Sequence, residues 1–278
     1  MYRNLNFAKT NKPLKEIISS TQNPKIKNIA LLIEKSSERR KQQLIVVEGA
    51  REIGLSLQTG LVAEALYYCP EIFYLESENI KASLIEKGCS VYEISKNVFD
   101  KIAFRENSDG LVLLAKPNFL TLDDLKLSDF PLIIILESVE KPGNLGAVLR
   151  TADAAAVDAV IVCDPKCDIY NPNAIRSSVG CVFTNQIVAA SSEDVLLWLQ
   201  SKNIKPYSAA LTATDFYHHI NFNVATALVF GTEADGLTDF WLQGAHQIKI
   251  PMAGKIDSLN LSNSVAIMVF EAIRQRGR

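Results

Sequence analysis

Histidine is scarce in this chain of 278 residues: only His218, His219 and His246 are present. So few, with two of them adjacent, make a Ser-His-acid hydrolytic set improbable. The five cysteines, Cys69, Cys89, Cys163, Cys167 and Cys181, are odd in number and form no CxxC pair. That argues against a disulfide framework and against a structural metal site, so no metal is expected, and it fits a reducing cytoplasm. Neither GxGxxG nor GxxxxGK[ST] occurs, which leaves a dinucleotide fold and a P-loop without their signatures and disfavours a nicotinamide dehydrogenase. Long apolar runs are missing too. The longest, such as 132–136 and 111–115, are far too short to cross a membrane. The N-terminal MYRNLNFAKTNK carries charge with no apolar run behind it, which is not the pattern of a secretory signal. Internal repeats and low-complexity tracts are absent.

What is present is ordinary globular material. Hydrophobic residues make up 48% and charged residues 22%, enough apolar surface to bury and a length comfortable for two cores. The net charge of −2 would by itself argue against a nucleic-acid partner. Its distribution argues otherwise. Residues 1–60 hold 11 Lys and Arg against 5 Asp and Glu, while 61–115 hold 5 against 9 and 116–278 hold 13 against 17. A basic patch confined to the N-terminal fifth can attract a polyanion even on a mildly acidic protein, or can be a solvated helix face.

Hydrophobic period divides the chain. Asn23-Pro24 precedes a helical stripe of Ile26, Ile29, Ala30 and Ile33, with Lys25, Lys27, Lys35, Arg39, Arg40 and Lys41 crowding the helix and the turn after it. Strands are expected at 44–49, 65–68, 90–94 and 111–115, with helices at 50–59, 79–87 and 95–103, giving an α/β layer domain over 1–115. Residues 116–130 are acidic, poorly patterned and bracketed by Pro117 and Pro131, and read as a linker. From 131 to 278 the alternation is clearer: strands at 131–138, 157–163, 181–188, 205–209, 224–230 and 246–250, and helices at 144–155, 172–178, 192–201 and 262–276. This predicts a mostly parallel sheet with helices on both faces.

Three segments break that pattern with glycine and uncharged polar residues, each after a strand, where ligands of open α/β sheets gather. In 137–155, Pro142-Gly143 makes a turn, Asn144 can cap the next helix, Gly146 allows close approach, and Arg150 lies in the second turn. That is an anion site, or an ordinary capped helix with its arginine tied to a structural acid. In 230–237, Gly231 and Gly236 bracket Glu233, which can accept from a ligand, orient Arg150 or cap a helix. In 250–266, Ile250, Pro251 and Met252 end a strand, and Ser258, Asn260 and Ser262 precede a strongly apolar helix for which Ser262 is the expected cap.

Taken together, the three segments closely resemble the SpoU, or TrmH, family of RNA 2′-O-ribose methyltransferases of the SPOUT class. The matching positions are Asn144, Gly146-Ala147 and Arg150-Thr151-Ala152; then Gly231, Glu233 and Gly236; then Pro251-Met252, Ser258-Leu259-Asn260 and Ser262. More loosely, Ser20, Asn23-Pro24, Lys27, Arg39-Arg40-Lys41 and the stretch from Ile45 to Glu48-Gly49 resemble the L30e-like domain of members that act on ribosomal RNA. Two positions depart from the family: Lys141 stands before Pro142 where an Asp is usual, and Ala156 where a glycine is usual.

The resemblance implies an L30e-like α/β/α substrate-binding domain over 1–115 and an α/β-knot domain over 131–278 with a C-terminal trefoil knot. It implies methyl transfer from S-adenosyl-L-methionine to a ribose 2′-hydroxyl, with ribosomal RNA favoured over transfer RNA; a non-catalytic RNA-binding module is the rival. Asn144, Arg150, Glu233, Ser258 and Asn260 would then serve catalysis. Gly231, Glu233, Gly236, Ile250, Met252 and Leu259 would bind the donor. Lys25, Lys27, Arg39, Arg40, Lys41 and Arg51 are the expected RNA contacts. A homodimer is implied as well, consistent with the final helix being apolar around much of its circumference.

Overall fold

A computed structural model describes residues 17–72, 74–104 and 108–277; residues 1–16, the start of the expected first domain, lie outside that range. The first half runs β1 (Ile17–Ile18), α1 (Pro24–Glu34), α2 (Ser36–Gln42), β2 (Ile45–Glu48), α3 (Ala50–Ser56), β3 (Val62–Tyr68), α4 (Leu75–Glu86), β4 (Ser90–Ile94), α5 (Lys96–Ile102) and β5 (Leu111–Lys116). Its five strands are ordered β1-β4-β3-β5-β2, with β5 antiparallel to both β2 and β3. The Asn23 side chain accepts from the Lys25 amide at 2.9 Å, and Pro24 takes the first helical position, so α1 starts where the sequence signals it. Ile26, Ile29 and Leu32 are buried and carry α1 into the core.

The second half runs β6 (Leu132–Glu137), α6 (Pro142–Ala154), β7 (Ala159–Cys163), α7 (Pro172–Ser177), α8 (Cys181–Thr184), β8 (Ile187–Ala190), α9 (Ser192–Ser201), β9 (Lys205–Ala209), β10 (Asp215–Phe216), β11 (Thr226–Phe230), α10 (Asp239–Gly244), β12 (His246–Lys249) and α11 (Leu261–Gln275). All seven strands are parallel, in the order β10-β12-β9-β11-β6-β7-β8. Alternate residues of β6 serve opposite faces, as the pleat requires. Ile133 and Ile135 join Val195, Trp198, Leu199 and Trp241 of α9 and α10, while Ile134 and Leu136 join Leu145, Val148, Val265 and Met268 of α6 and α11. That is why β6 reads as a continuous apolar run.

Two expectations need correction. The strand expected at 181–188 begins instead as the short helix α8, and only 187–190 is strand. Gly180, at φ +84, turns the chain into α8, and a Cβ there would lie 2.8 Å from Leu55 Cδ1 and 3.2 Å from Glu52 Cα. Buried Cys181, Val182 and Phe183 thus imitate a strand in composition while a helix seats them on α3. The basic stretch after α1 is not a turn but helix α2, closed by Gln43 in the left-handed region at φ 53.

Residues 116–130 do not hang free. Leu120 bridges Val188, Thr121 and Asp124 form a capping box, and the amides of Lys126 and Ser128 donate to Gln186 and Asp158 at 2.9 and 2.6 Å. The two sheets share one apolar cluster in which Ile45, Val47, Ala50 and Ile53 meet Ile175, Val182 and Phe183. A buried ion pair, Arg39 Nε to Asp168 Oδ2 at 2.6 Å, crosses the same junction.

Candidate active site

The carboxyl ends of β9, β11 and β12 open onto a cavity of about 440 Å³, closed on one side by the start of α11. Small-molecule sites run from about 300 to 1,000 Å³. Gly231, Glu233, Gly236, Ile250, Met252 and Leu259 all line it, so the six residues singled out as donor contacts meet around one space. The turn after β11 explains its glycines. Thr232 and Gly236 exchange backbone hydrogen bonds at 2.9 and 3.1 Å, and a Cβ on Gly231 would lie 2.0 Å from the Gly236 carbonyl oxygen. Gly236 sits at φ +70, where a side chain is strained.

Glu233 stands at the junction of the three segments. Its Oε2 accepts from Lys141 Nζ at 2.5 Å, and its Oε1 accepts from Asn144 Nδ2 at 2.8 Å and from the Asn260 amide. Asn260 also donates to Asn144 Oδ1 at 3.3 Å. The Lys141 ammonium first, and then the Asn144 amide, hold Glu233 below the usual carboxylate range against the opposing effect of its burial. Lys141 is correspondingly raised by the same pair.

Capping differs from expectation in two places. Lys141, not Asn144, is the N-cap of α6, and Asn144 lies inside the first turn. Asn260, not Ser262, caps α11: its Oδ1 accepts from the Ser262 amide at 3.0 Å and from the Ser262 hydroxyl at 2.6 Å. One side chain within the third segment therefore starts the last helix and reaches Glu233.

Two of the expected catalytic residues stand outside this network. Ser258 is exposed, and its hydroxyl donates to Asp257 Oδ1 at 3.2 Å. Arg150 is exposed on α6 and has no ion pair or hydrogen bond among the described residues, so Glu233 does not orient it. It shares its surroundings with Arg51 of α3. Burial and then Asp153 push the Cys181 thiol up, while Thr184, Arg51 and Arg150 pull it down. Arg51 is likewise exposed.

Of the remaining basic residues, Lys25, Lys27, Arg40 and Lys41 are exposed. Arg39 is not: it is 4% exposed. Its guanidinium is committed to Asp168 and to the carbonyls of Leu32 and Ile33, at 2.5 and 3.1 Å. As a phosphate contact it is therefore withdrawn; the sequence placed it in a basic run without showing that its side chain turns inward.

Sequence reasoning also passed over the Ala209, Ala210 and Leu211 wall of the cavity, together with Leu261, Ser264 and Met268. The first three lie at the end of β9 as the 230–237 segment lies at the end of β11, so the same strand-end rule pointed to them. No signal identified Lys141 as a partner of Glu233. Among the described residues no helix is long and apolar enough to cross a membrane.

A model of the SpoU rRNA Methylase family matches residues 131–270, and a model of the MRM3-like substrate binding domain matches 23–113. A 23S rRNA (guanosine-2′-O-)-methyltransferase of Vibrio cholerae is 35% identical over 69% of this chain and 81% of its own length. A crystal structure of an RNA 2′-O ribose methyltransferase superposes with a TM-score of 0.82 at 38% identity, covering 94% of this chain and all of that one. The AdoMet-bound rRNA methyltransferase of Sinorhizobium meliloti superposes with a TM-score of 0.86 at 28% identity, over 93% of this chain and 97% of its own. The matches run through both sheets and through all three segments that meet at Glu233, and this chain belongs to the SpoU rRNA methylase family.

Proposed function

We propose that this protein methylates a ribose 2′-hydroxyl of RNA with S-adenosyl-L-methionine as donor, and that its substrate is the large-subunit ribosomal RNA of the cell. The observation that carries this reading is the cavity lined by the second and third family segments, whose Glu233 is tied to Asn144 of the first. The cavity suits the donor chemically. Leu211, Ile250, Met252, Leu259 and Met268 offer apolar contact, and the Gly231–Gly236 turn brings backbone close without side chains in the way. When bound, the donor supplies an electrophilic methyl group on a sulfonium.

The chain's own residues then do positioning and electrostatics. With the donor bound, the ribose oxygen would have to lie in line with the methyl carbon and sulfur, the O–C bond forming as the C–S bond breaks to leave a neutral thioether, and the hydroxyl proton passing to water. Holding that line supplies much of the acceleration. Asn144 and Asn260 donate to Glu233 and steady the carboxylate that lines the cavity, and Ser258 lines the cavity itself. Arg150 carries a guanidinium, which donates hydrogen bonds and has no acceptor site. It serves as a phosphate holder and a positive charge near the developing oxyanion rather than as the base. Arg51, Lys25, Lys27, Arg40 and Lys41 extend the cationic surface over the first half, where a folded RNA element docks through its phosphates.

In this reading residues 1–115 recognise RNA, 116–130 join the halves, and 131–278 form the methyltransferase domain, with the C-terminal trefoil knot that its family implies. The protein works in the cytoplasm as a homodimer. Phe270, 47% exposed on α11, and half-buried Ile267 one turn before it support an interface on that helix. Sedimentation equilibrium near 31 kDa at micromolar concentration would remove the dimer.

Two measurements test the function. Calorimetry should detect donor binding to the purified protein, and no binding at roughly millimolar donor would sink the reading. A 2′-O-methylation map compared between wild type and a deletion strain should lose a site in large-subunit RNA; loss only in transfer RNA would replace the substrate. Arg150→Ala should suppress turnover while donor affinity stays within a few-fold, and near-normal turnover would remove its role.

A further inference from the structure

The loops after β6 and β11 are neighbours because those strands pair along their whole length, from Thr226↔Leu132 to Phe230↔Leu136. Two ties cross between the loops. The inner one is buried: Glu137, 4% exposed, accepts from the Thr238 amide at 2.9 Å and from its hydroxyl at 2.6 Å. This pins the far end of the 231–238 loop. The outer tie is Lys141 on Glu233, near the loop's tip.

The two oxygens of Glu233 are held differently. Oε1 gathers the amides of Asn144 and Asn260, whereas Oε2 receives Lys141. A carboxylate gripped through one oxygen can rotate about its own bond, and Asn144 would follow it, whereas Asn260 is also held by its cap on Ser262. Glu140, beside Lys141 in sequence, is paired with Lys166 at 2.7 Å and acts on Lys141 less than Glu233 does.

We infer that Lys141 is a positioning residue for methyl transfer: by fixing the second oxygen of Glu233, which lines the donor cavity, it fixes Asn144 on the first. The inference rests on the methyl-transfer reading above. It assigns Lys141 a role in turnover rather than in RNA affinity. The pair is partly solvated, with the Lys141 side chain 70% exposed, so its effect is modest.

The test uses the full chain with Lys141→Met and Lys141→Arg. Turnover is measured with labelled donor and large-subunit RNA, and the Lys141→Met variant is crystallised beside the wild type. Lys141→Met should lower kcat about two- to fivefold, the scale of an exposed ion pair, with KM for RNA and donor affinity nearly unchanged. Lys141→Arg should recover most of the loss. In the crystal, Glu233 and at least one of the two amides should have turned. A raised KM for RNA with kcat intact would make Lys141 a phosphate contact and overturn the inference, as would unchanged kcat and KM. An unmoved Glu233, Asn144 and Asn260 set would overturn it too. A wild-type protein that binds no donor would bring down the methyl-transfer reading instead, and the crystal comparison would still decide whether Lys141 holds this set.

Discussion

Replacing Arg39 with methionine separates a structural cation from a nucleic-acid contact. Arg39 lies in α2, yet its guanidinium turns inward to the end of α1, where the last carbonyls have no partner within the helix. It takes the Leu32 and Ile33 carbonyls and adds positive charge at the negative end of the helix dipole. Its Nε also meets Asp168 in the loop after β7, so one side chain ties the two halves together. The side chains are 3% and 15% exposed. Breaking a buried pair by removing one partner costs about 3–5 kcal/mol. Water reaches Asp168 in part, which reduces the expectation to about 2–4 kcal/mol, or roughly 5–10 °C in Tm. Urea denaturation of Arg39→Met, Asp168→Asn and the double variant reads this directly. Both single variants should be strongly destabilised, and the double variant should lose much less than their sum, since the two share one interaction. RNA affinity of the folded Arg39→Met protein, and its salt dependence, should match wild type. A stability loss below about 0.5 kcal/mol together with a shallower salt slope would refute the argument and return Arg39 to the RNA surface.

The other predictions concern the donor cavity, the basic surface and the last helix. Gly231→Ala places a methyl group 2.0 Å from the Gly236 carbonyl oxygen and 2.4 Å from the Leu237 amide nitrogen, both backbone atoms. Donor affinity by calorimetry should fall at least about tenfold, and an unchanged Kd would mean the turn is looser than its geometry. Changing Lys25, Lys27, Arg40, Lys41 and Arg51 together to Gln should reduce the salt slope of RNA binding by roughly 0.7–0.9 for each phosphate that is no longer neutralised, with folding intact. An unchanged slope would make these five a solvated face. Glu271 accepts from Arg274 and from Gln275, and Gln275 in turn holds the Phe222 amide and the Ile220 carbonyl. Arg274 first, then Gln275, lower its pKa from 4.5 to about 2. A depressed carboxylate stabilises the fold above its unfolded pKa and loses that contribution as pH falls through the folded value. Unfolding curves should therefore show acid destabilisation between about pH 4.5 and 2 that Glu271→Gln reduces. Identical pH profiles for the two proteins would refute the assignment.

How far this molecule could be read before its structure depends on where each signal resides. α9 was legible to the residue because Ser191 caps it, Glu193 and Asp194 occupy its first turn, and a clear apolar stripe follows. β6 was legible because a strand covered on both faces has no polar residue to interrupt it. α8 was not: four residues are too few to display a helical period, and its first three, Cys181, Val182 and Phe183, are buried and apolar in unbroken succession. The site divides along the same line. Gly231 and Gly236 announce a tight turn in one dimension, and strand ends announce a ligand, so the cavity could be placed from local features alone. What local features do not encode is which way a long charged side chain points. Arg39 and Arg40 are adjacent in one basic run, yet one is buried against Asp168, 129 positions away, while the other faces solvent. Lys141 and Glu233 are 92 positions apart and meet only because β6 and β11 pair. Both surprises are cations whose partners lie far along the chain: Asp168 meets Arg39 across the junction of the two sheets, and Glu233 meets Lys141 because β6 and β11 pair. The positions most worth testing in this chain are therefore the charged residues whose partners tertiary packing supplies, because neither period nor motif records those contacts.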